Sequence, residues 1–336
     1  MSGQRRVASF GEALIDMLAR PPENAGGVRS FLQFAGGAPA NVSVAVARLG
    51  GQSLFVGMLG RDMFGDFLLQ SLEDAGVHTD GVVRTDEAGT ALAFVALDAN
   101  GERSFSFYRP PSADLLFRIP HFDQVRFETV SVFHVCSVSM TGDEIAQVTF
   151  EGMRRSRAAG AIVSFDMNLR PMLWPRGLDP APRLWEALRL ADVVKLSREE
   201  FDWLCATSGG DRAGVIERLW QGHAQLLLIT DGANSVRWHT RRGSGEVPVF
   251  RVEVLDSTAA GDAFVGGFLH RLAQRLDRGV ALESFCADLD VLQGSLRFAA
   301  AAGALAVTKR GSFAAMPTDA AVLRLMEEQS TCSVMD

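Results

Sequence analysis

The chain has 336 residues, of which 47% are hydrophobic and 22% are charged, a balance typical of a folded protein and not of a disordered one. Its net charge of −7 argues against a nucleic-acid partner, because such partners usually require a basic face. Four widely spaced cysteines predict neither a zinc site nor a disulfide framework, and no apolar run has the length of a membrane span. We therefore expect a cytoplasmic protein that binds neither nucleic acid nor a membrane.

Short β-branched runs alternate with helical patterns, and this alternation predicts βαβ units around a mostly parallel sheet with helices on both faces. Strands are predicted at 5–10, 53–59, 130–138, 161–166, 191–196 and 225–230. Helices are predicted at 39–49, 65–75, 143–159, 211–221 and 262–276.

Two strand-like segments interrupt this order. Residues 12–34 form the first, and the second alternates in polarity from 89 to 109 around a hairpin-like turn at 98–101. The alternation of its second arm places three side chains on one face: Phe105, Phe107 and Arg109. We interpret the segments, at about 12–34 and 88–118, as a small β lid. An antiparallel extension of the main sheet is the alternative.

The strongest chemical signal is the segment 256–262, Asp-Ser-Thr-Ala-Ala-Gly-Asp, which runs into a helical pattern. Small residues there leave the first-turn N–H groups bare, and these donors together with the helix dipole form an anion site. A carboxylate at Asp262 would repel phosphate, but it suits a base that takes the proton of an attacking hydroxyl. Asp262 could also simply cap the helix, and the spacing leaves both interpretations open.

A second motif consists of Gly36 and Gly37, followed by Ala-Pro-Ala, Asn41 and another helical run. Paired glycines let the backbone approach a ligand closely, and Asn41 offers a donor and an acceptor to a hydroxyl-rich molecule. A tight turn without a ligand is the alternative.

The two motifs together resemble those of the ribokinase-like (PfkB) sugar kinases, which carry Gly-Gly near the N-terminus and Asp-Thr-Thr-Gly-Ala-Gly-Asp near the C-terminus. Ala259 stands where glycine is usual. The segments 11–16, 107–114 and 165–175 are most similar to fructokinases. The resemblance covers nearly the whole chain. It implies one kinase domain over 1–330 with a three-layer α/β/α core, a mostly parallel sheet and the lid, followed by a disordered tail at 331–336.

The resemblance also implies roles for individual residues. Asp262 would be the catalytic base, with the amides of Ala260 and Gly261 as the anion hole. The sugar would be contacted by Asp16, Gly36, Gly37, Asn41, Phe107 and Arg109, the last reaching in from the lid. Arg170 would lie over the transferred phosphate or the sugar, unless it is a solvated arginine at a strand end.

For the nucleotide, the resemblance implies contacts from Lys195, Ser197, Thr230, Gly232, Gly261 and Gly311. Glu200 would contact Mg²⁺ through water, and a monovalent cation, K⁺, would be held by backbone atoms of Asp256, Thr258, Ala306, Lys309 and Gly311. Ser197, Ser235 and Ala300 depart from the residues usual in the family, and Ala300 implies apolar adenine contacts. Without the resemblance, the segment 195–200 indicates only a polar helix start.

The implied activity is ATP-dependent phosphorylation of a sugar primary hydroxyl, with D-fructose at O6 as the first candidate. We also expect a homodimer formed through the lid. A 2-keto-3-deoxygluconate kinase or a ribokinase of the same fold is the alternative, as is a non-catalytic sugar- or nucleotide-binding regulator. Other chemistries lack their motifs. The sequence contains no P-loop, no dinucleotide-binding glycine fingerprint after the first strand, no paired zinc histidines and no nucleophile elbow.

Overall fold

The structure, a computed structural model, describes residues 5–20, 27–97, 103–109 and 111–332. The strands in these ranges are β1 (Arg6–Phe10), β2 (Leu14–Arg20), β3 (Ser30–Gly36), β4 (Ser53–Gly60), β5 (His78–Thr85), β6 (Leu92–Leu97), β7 (Arg103–Tyr108), β8 (Val130–Cys136), β9 (Ile162–Asp166), β10 (Val193–Ser197), β11 (Leu226–Thr230), β12 (Val236–Thr240) and β13 (Gly243–Val247). The helices are α1 (Ala38–Arg48), α2 (Met63–Asp74), α3 (Asp143–Ala158), α4 (Ala181–Leu190), α5 (Arg198–Ser208), α6 (Arg212–Trp220), α7 (Ala260–Leu276), α8 (Leu282–Ala287), α9 (Leu289–Ala306), α10 (Ser312–Ala315) and α11 (Asp319–Cys332).

The large sheet has the strand order β13-β12-β11-β10-β9-β8-β1-β4-β5. Neighbouring strands from β11 to β5 pair in parallel, whereas β12 and β13 continue the sheet antiparallel at one edge. Except for the edge strand β5, which is polar and partly exposed, the parallel strands are mostly apolar, as strands buried on both faces require. Parallel pairing brings the carboxyl ends of seven strands to one side of the molecule.

Alternation along the strands sends side chains into two separate cores. Phe10, Phe133 and Phe165 pack with α3, α4, α5 and α6 on one face of the sheet. Val7 and Val132 pack with α1, α7, α8 and α9 on the other. The protein is therefore a three-layer α/β/α structure, and the predicted fold class is confirmed.

All six strands and all five helices predicted from periodicity are present within a few residues of the predicted bounds. Helix α7 begins at Ala260, two residues before the predicted start at 262. Periodicity did not identify α4, α5, α8, α9, α10 and α11, nor the strands β5, β12 and β13, of which β13 is largely exposed and carries a weak apolar pattern.

The small sheet has the order β3-β2-β6-β7, with β2 and β6 parallel and both outer pairs antiparallel. It is a separate sheet, so the alternative of an extension of the main sheet is excluded. The predicted turn at 98–101 lies outside the described residues, while the pairing of β6 with β7 on either side of it is that of a hairpin. The last part of the predicted lid belongs to the core, because Ala113 and Phe117 are buried there.

Helix α11 continues to Cys332, two residues into the predicted tail, and 333–336 lie outside the described residues. In the described ranges, none of the helices combines the length and the apolar character that crossing a membrane requires.

Candidate active site

A cavity of about 680 Å³ opens where the carboxyl ends of the parallel strands face the small sheet. This is the side of an open α/β sheet where ligands usually bind. Most of the predicted site residues line it: Asp16, Gly37, Asn41, Phe107, Arg170, Lys195, Ser197, Glu200, Thr230, Thr258, Ala260, Gly261 and Asp262. The predicted residues outside its lining, all in the described ranges, are Gly36, Arg109, Gly232, Asp256, Ala306, Lys309 and Gly311. The side chain of Phe105 lies outside the described part of the structure.

The end of the cavity beneath the small sheet, here called the lid end, is lined by Glu12, Leu14, Asp16, Gly37 and Phe107. Gly36 contributes to it indirectly, because a Cβ at this position would collide with the Asp16 carboxylate. Ser312 Oγ donates to Asp16 Oδ2 over 3.4 Å. Burial nevertheless raises the pKa of Asp16 to about 6.

Glu12 belongs to this end of the cavity, although the sequence motifs did not identify it. Its Oε1 accepts a hydrogen bond of 3.2 Å from the amide of Ala38, at the start of α1. Gly37 precedes that amide with a φ of 104°, where a Cβ would meet the backbone of Glu12 and Ala13. Burial raises the pKa of Glu12 to about 7. Its place directly after β1, a central strand, is the signal that could have pointed to it.

Arg109 differs from its predicted position. Its guanidinium is 2% exposed and pairs with Asp114 over 2.6 Å, instead of reaching into the cavity. It also donates to Thr141 Oγ1 and to the carbonyl of Val138, at 2.8 and 2.9 Å. Arg109 follows the last residue of β7, so strand alternation no longer sets its direction. A buried cation requires partners, and these lie in the core.

Asp262 is the third residue of α7, and its carboxylate faces the cavity. Asn41 Nδ2 donates to Asp262 Oδ2 over 2.7 Å. Burial raises the pKa of Asp262 to about 6, although the hydrogen bond from Asn41 and the charges of Arg170 and Lys195 act to lower it. Ala259, and not Asp262, is the N-cap residue of α7, so the capping interpretation does not describe this carboxylate.

The start of α7 carries amide groups that no side chain caps, as the predicted anion site requires. No side chain caps this helix, and the amide of Ala260 donates only a long hydrogen bond of 3.5 Å to the carbonyl of Ser257, so the first-turn amides, among them that of Gly261, keep hydrogen-bonding capacity for a ligand. Ala259 has a φ of 60°, a left-handed conformation that glycine adopts without strain, which accounts for the glycine usual at this position in the family.

The opposite end of the cavity, here called the strand end, is lined by Arg170, Lys195, Ser197, Glu200 and Thr230, which follow or end strands β9, β10 and β11. Lys195 Nζ lies 3.1 Å from Asp166 Oδ1, and both side chains are almost completely buried. Burial works against the ammonium, but the charges of Asp166 and Glu200 outweigh it and raise the pKa of Lys195. Asp166 was missed as a site residue. Composition offers a signal for this ion pair, because Lys195 is one of only two lysines, with Lys309, among 33 basic residues.

Glu200 joins two loops of the strand end. Its Oε1 accepts from the amide of Leu169 and its Oε2 from the amide of Ser197, each over 2.7 Å. The first bond holds the turn after β9, where Asn168 has a strained φ of 36° and Arg170 extends into the cavity. Burial raises the pKa of Glu200.

The described residues contain no group of three or more His, Cys, Asp or Glu side chains that could hold a metal ion by themselves. A Mg²⁺ ion would therefore depend on ligand phosphates and water, as this ion commonly does. The segments expected to hold K⁺ do lie side by side, since the amides of Leu255 and Asp256 both donate to the carbonyl of Val307.

Comparison with known proteins gives consistent results. The model of the pfkB family of carbohydrate kinases matches residues 4–319. Fructokinase-1 of Zea mays is 40% identical over 331 residues, covering 97% of this chain and 99% of that protein. A fructokinase with bound ATP from Xylella fastidiosa is 63% identical with a TM-score of 0.93, covering 97% of this chain and 99% of that one. A fructokinase double mutant from Vibrio cholerae O395, with fructose, ADP and potassium ion bound, is 32% identical with a TM-score of 0.83 at the same coverage.

Proposed function

The chain belongs to the pfkB family of carbohydrate kinases, and from this membership we propose that it phosphorylates D-fructose at O6 with ATP. The observation that carries the proposal is the position of Asp262 between the two ends of the cavity. Burial raises the pKa of Asp16 at the lid end, and the charges of Asp166 and Glu200 raise that of Lys195 at the strand end against burial. The charge of Asp262 adds to both shifts. A base in this position can act on a sugar hydroxyl that faces a phosphoryl group.

In the proposed reaction, Asp262 takes the proton of the O6 hydroxyl as O6 attacks the γ-phosphorus in line. The bond between O6 and phosphorus forms while the bond from phosphorus to the β–γ bridging oxygen breaks, and ADP leaves with that electron pair. The amides of Ala260 and Gly261 stabilise the negative charge on the transferred group, together with Arg170 and Lys195. Ser197 and Thr230 line the path toward the rest of the nucleotide.

Two ions accompany this proposal. Glu200 would hold a Mg²⁺ ion through water, and the ion would supply positive charge that reduces repulsion between the triphosphate and the carboxylates. Each oxygen of Glu200 keeps a lone pair for such a water after accepting its backbone N–H. K⁺ would bind between the adjacent segments that contain Asp256 and Ala306, and the potassium-bound fructokinase of Vibrio cholerae supports this assignment.

The lid end favours a neutral sugar over a sugar acid. Its lining, taken from the described residues, contains two carboxyl groups and no lysine or arginine. Arg109, which the resemblance placed against the sugar, is already bound to Asp114. A 2-keto-3-deoxygluconate kinase would need a cation in this position, so the site supports fructose over that substrate.

We also propose a homodimer formed through the small sheet. Its edge strands β3 and β7 carry Phe31 and Tyr108, which are 45% and 68% exposed. Unpaired edges and exposed aromatic rings favour association with a second subunit. A cytoplasmic location is proposed because Cys136, Cys205 and Cys286 are free thiols, as expected in a reducing compartment.

The activity is tested by coupled ADP release with fructose, mannose, ribose, 2-keto-3-deoxygluconate and nucleosides, and the position of the phosphate by NMR of the product. Fructose should give the highest kcat/KM and yield fructose 6-phosphate. Preference for 2-keto-3-deoxygluconate would overturn the assignment of fructose as the substrate but leave the assignment as a sugar kinase in place. Binding of sugar and ATP without any phosphoryl transfer would instead support a regulator.

A further inference from the structure

Asn41 and Asp262 are 221 positions apart in the chain, yet their side chains form a buried hydrogen bond of 2.7 Å. The nitrogen of Asn41 must face the carboxylate, because the reversed amide would place two oxygen atoms at that distance. In this orientation Asn41 Oδ1 is buried and has no partner in the described structure. Leaving Asn41 Oδ1 without a hydrogen bond is unfavourable, which indicates that Asp262 determines the orientation of the Asn41 amide.

The spacing of two helices brings this pair together. Asn41 and Ala45 are four residues apart on α1, and Asp262 and Gly266 are four residues apart on α7, so each pair lies on one helix face. A Cβ at Gly266 would collide with the Cβ of Ala45. The two helices are therefore in close contact one turn beyond the hydrogen bond, and this contact requires glycine.

We propose that Asn41 is a positioning residue for the catalytic base, and that the contact between Ala45 and Gly266 sets the helix spacing on which this positioning depends. The inference rests on the proposed function, in which Asp262 is the base. The bond to Oδ2 fixes the rotation of the carboxylate and assigns Oδ1 to receive the proton of the sugar hydroxyl. It also stabilises the ionised form that a base must have.

Other charges act on Asp262 and must stay constant in any test. They are Asp166 on β9, Arg170 after β9, Lys195 on β10 and Asp16 on β2, while the buried thiol of Cys136 on β8 also faces this group. Substitutions of the neutral residues Asn41 and Gly266 leave all of these in place. The effects of Asn41→Ala and Gly266→Ala can therefore be assigned to the hydrogen bond, whereas Asn41→Asp also adds a carboxyl beside Asp262.

The experiment compares pH profiles of kcat and kcat/KM for the wild type, Asn41→Ala and Asn41→Asp. In Asn41→Ala, loss of the hydrogen-bond donor should lower kcat at pH 7 about tenfold or more. The acidic side of the kcat profile, here called the acid limb, should move up by about one pH unit. The value of kcat should partly recover at higher pH. Asn41→Asp is nearly isosteric and should move the limb further, because two adjacent carboxyls share a proton. KM for ATP should change little.

A contact with the sugar alone would raise KM for fructose and leave the acid limb of kcat in place, which would overturn the proposal. A shift confined to kcat/KM would also overturn it, because the bond would then exist only in the free enzyme. Phe107→Ala serves as a matched control, since Phe107 lines the lid end without a polar side-chain atom. It should raise KM for fructose without moving the limb.

The helix contact is tested by Gly266→Ala against Gly267→Ala. Both add one methyl to α7, but a Cβ at Gly267 would face Ala299 and Ala302 on α9 instead of α1. Gly266→Ala should move the acid limb in the direction of Asn41→Ala, and Gly267→Ala should not. Equal shifts in both would overturn the role of the Ala45 contact. Absence of turnover by the wild type with every sugar would instead reject the proposed function.

Discussion

The two ends of the cavity both contain buried carboxyl groups, but the two ends differ in the partners that these groups have. At the strand end, Asp166 is paired with Lys195, and Glu200 accepts two backbone amides. At the lid end, neither Glu12 nor Asp16 takes part in an ion pair within the described structure, and burial raises both of their pKa values. The carboxyl groups at the strand end are bonded directly, whereas at the lid end the charge of Arg109 acts on Glu12 without an ion pair and does not offset burial.

This difference matches the two ligands of a sugar kinase. A phosphate chain carries its own negative charge, so the site that receives it needs cations and bare amides. A neutral sugar carries hydroxyl groups, which donate hydrogen bonds to carboxylates and replace the water that burial removes. Asp262 lies between the ends, and its pKa of about 6 leaves it mostly ionised at neutral pH.

The largest expected effect comes from Asp262→Asn at the junction of the two ends. The substitution removes the proton acceptor and should lower kcat by about 10²–10⁴-fold, while KM for both substrates changes little. Melting temperature at pH 7 should not fall, because a buried carboxylate with a raised pKa is replaced by a neutral amide. Kinetics at several Mg²⁺ concentrations test this expectation. Recovery at high Mg²⁺ would show a metal ligand, and retention of more than about a tenth of kcat would show that Asp262 is not the base.

At the strand end, Lys195→Met should leave Asp166 as a buried charge without its partner. Loss of one member of a buried pair typically lowers the free energy of unfolding by about 3–5 kcal/mol. Adding Asp166→Asn to the same chain should restore much of that loss. Denaturant midpoints of the single and double variants measure the effect, and equal stability of the two would contradict the pairing.

At the lid end, Asp16→Ala should raise KM for fructose about 10- to 150-fold, the range expected for a hydrogen bond to a charged group. KM for ATP should stay nearly constant, because Asp16 lies on the small sheet, away from the strand end. Steady-state kinetics with each substrate varied in turn separate the two. If ATP affinity falls instead, the assignment of the ends is reversed.

Glu12 provides a pH test of the same end. Its pKa is raised to about 7 by burial, so the folded protein keeps this proton at pH values where the unfolded chain has lost it. Its contribution to stability is therefore lost as pH rises from about 4.5 to 7. Relative to Glu12→Gln, the wild type should become less stable over this window by about 1–3 kcal/mol. Denaturant titrations at pH 5 and pH 8 measure the difference, and a constant difference would show that Glu12 is not buried in this way.

The smallest expected effect is that of the monovalent cation. If carbonyl groups near Asp256 and Ala306 bind K⁺ beside the anion site, K⁺ should increase activity several-fold, about the size of a weak electrostatic contribution. Initial rates in K⁺, Na⁺ and Tris at equal ionic strength provide the comparison. Equal rates in the three buffers would remove the cation from the proposal.

The sequence alone determined the framework of this protein. Apolar runs predicted the parallel strands, helical periodicity predicted α1 and α7, and the small residues before Asp262 predicted an anion site at a helix start. These signals are local, because the spacing of side chains within one strand or helix decides which face is buried. The positions of Gly37, Asn41 and Lys195 in one cavity followed from the motifs and the family resemblance.

Tertiary structure alone decided how the polar side chains are paired. Arg109 is bound to Asp114 and Thr141, Glu200 holds the amides of two loops, and Asn41 donates to Asp262. A buried polar group must find a partner, but the partner can come from any element that packs nearby. The spacing of residues in the sequence does not show which elements pack close enough to supply that partner. The approach of α1 to α7, permitted by Gly266, is what places an amide nitrogen beside the carboxylate of Asp262.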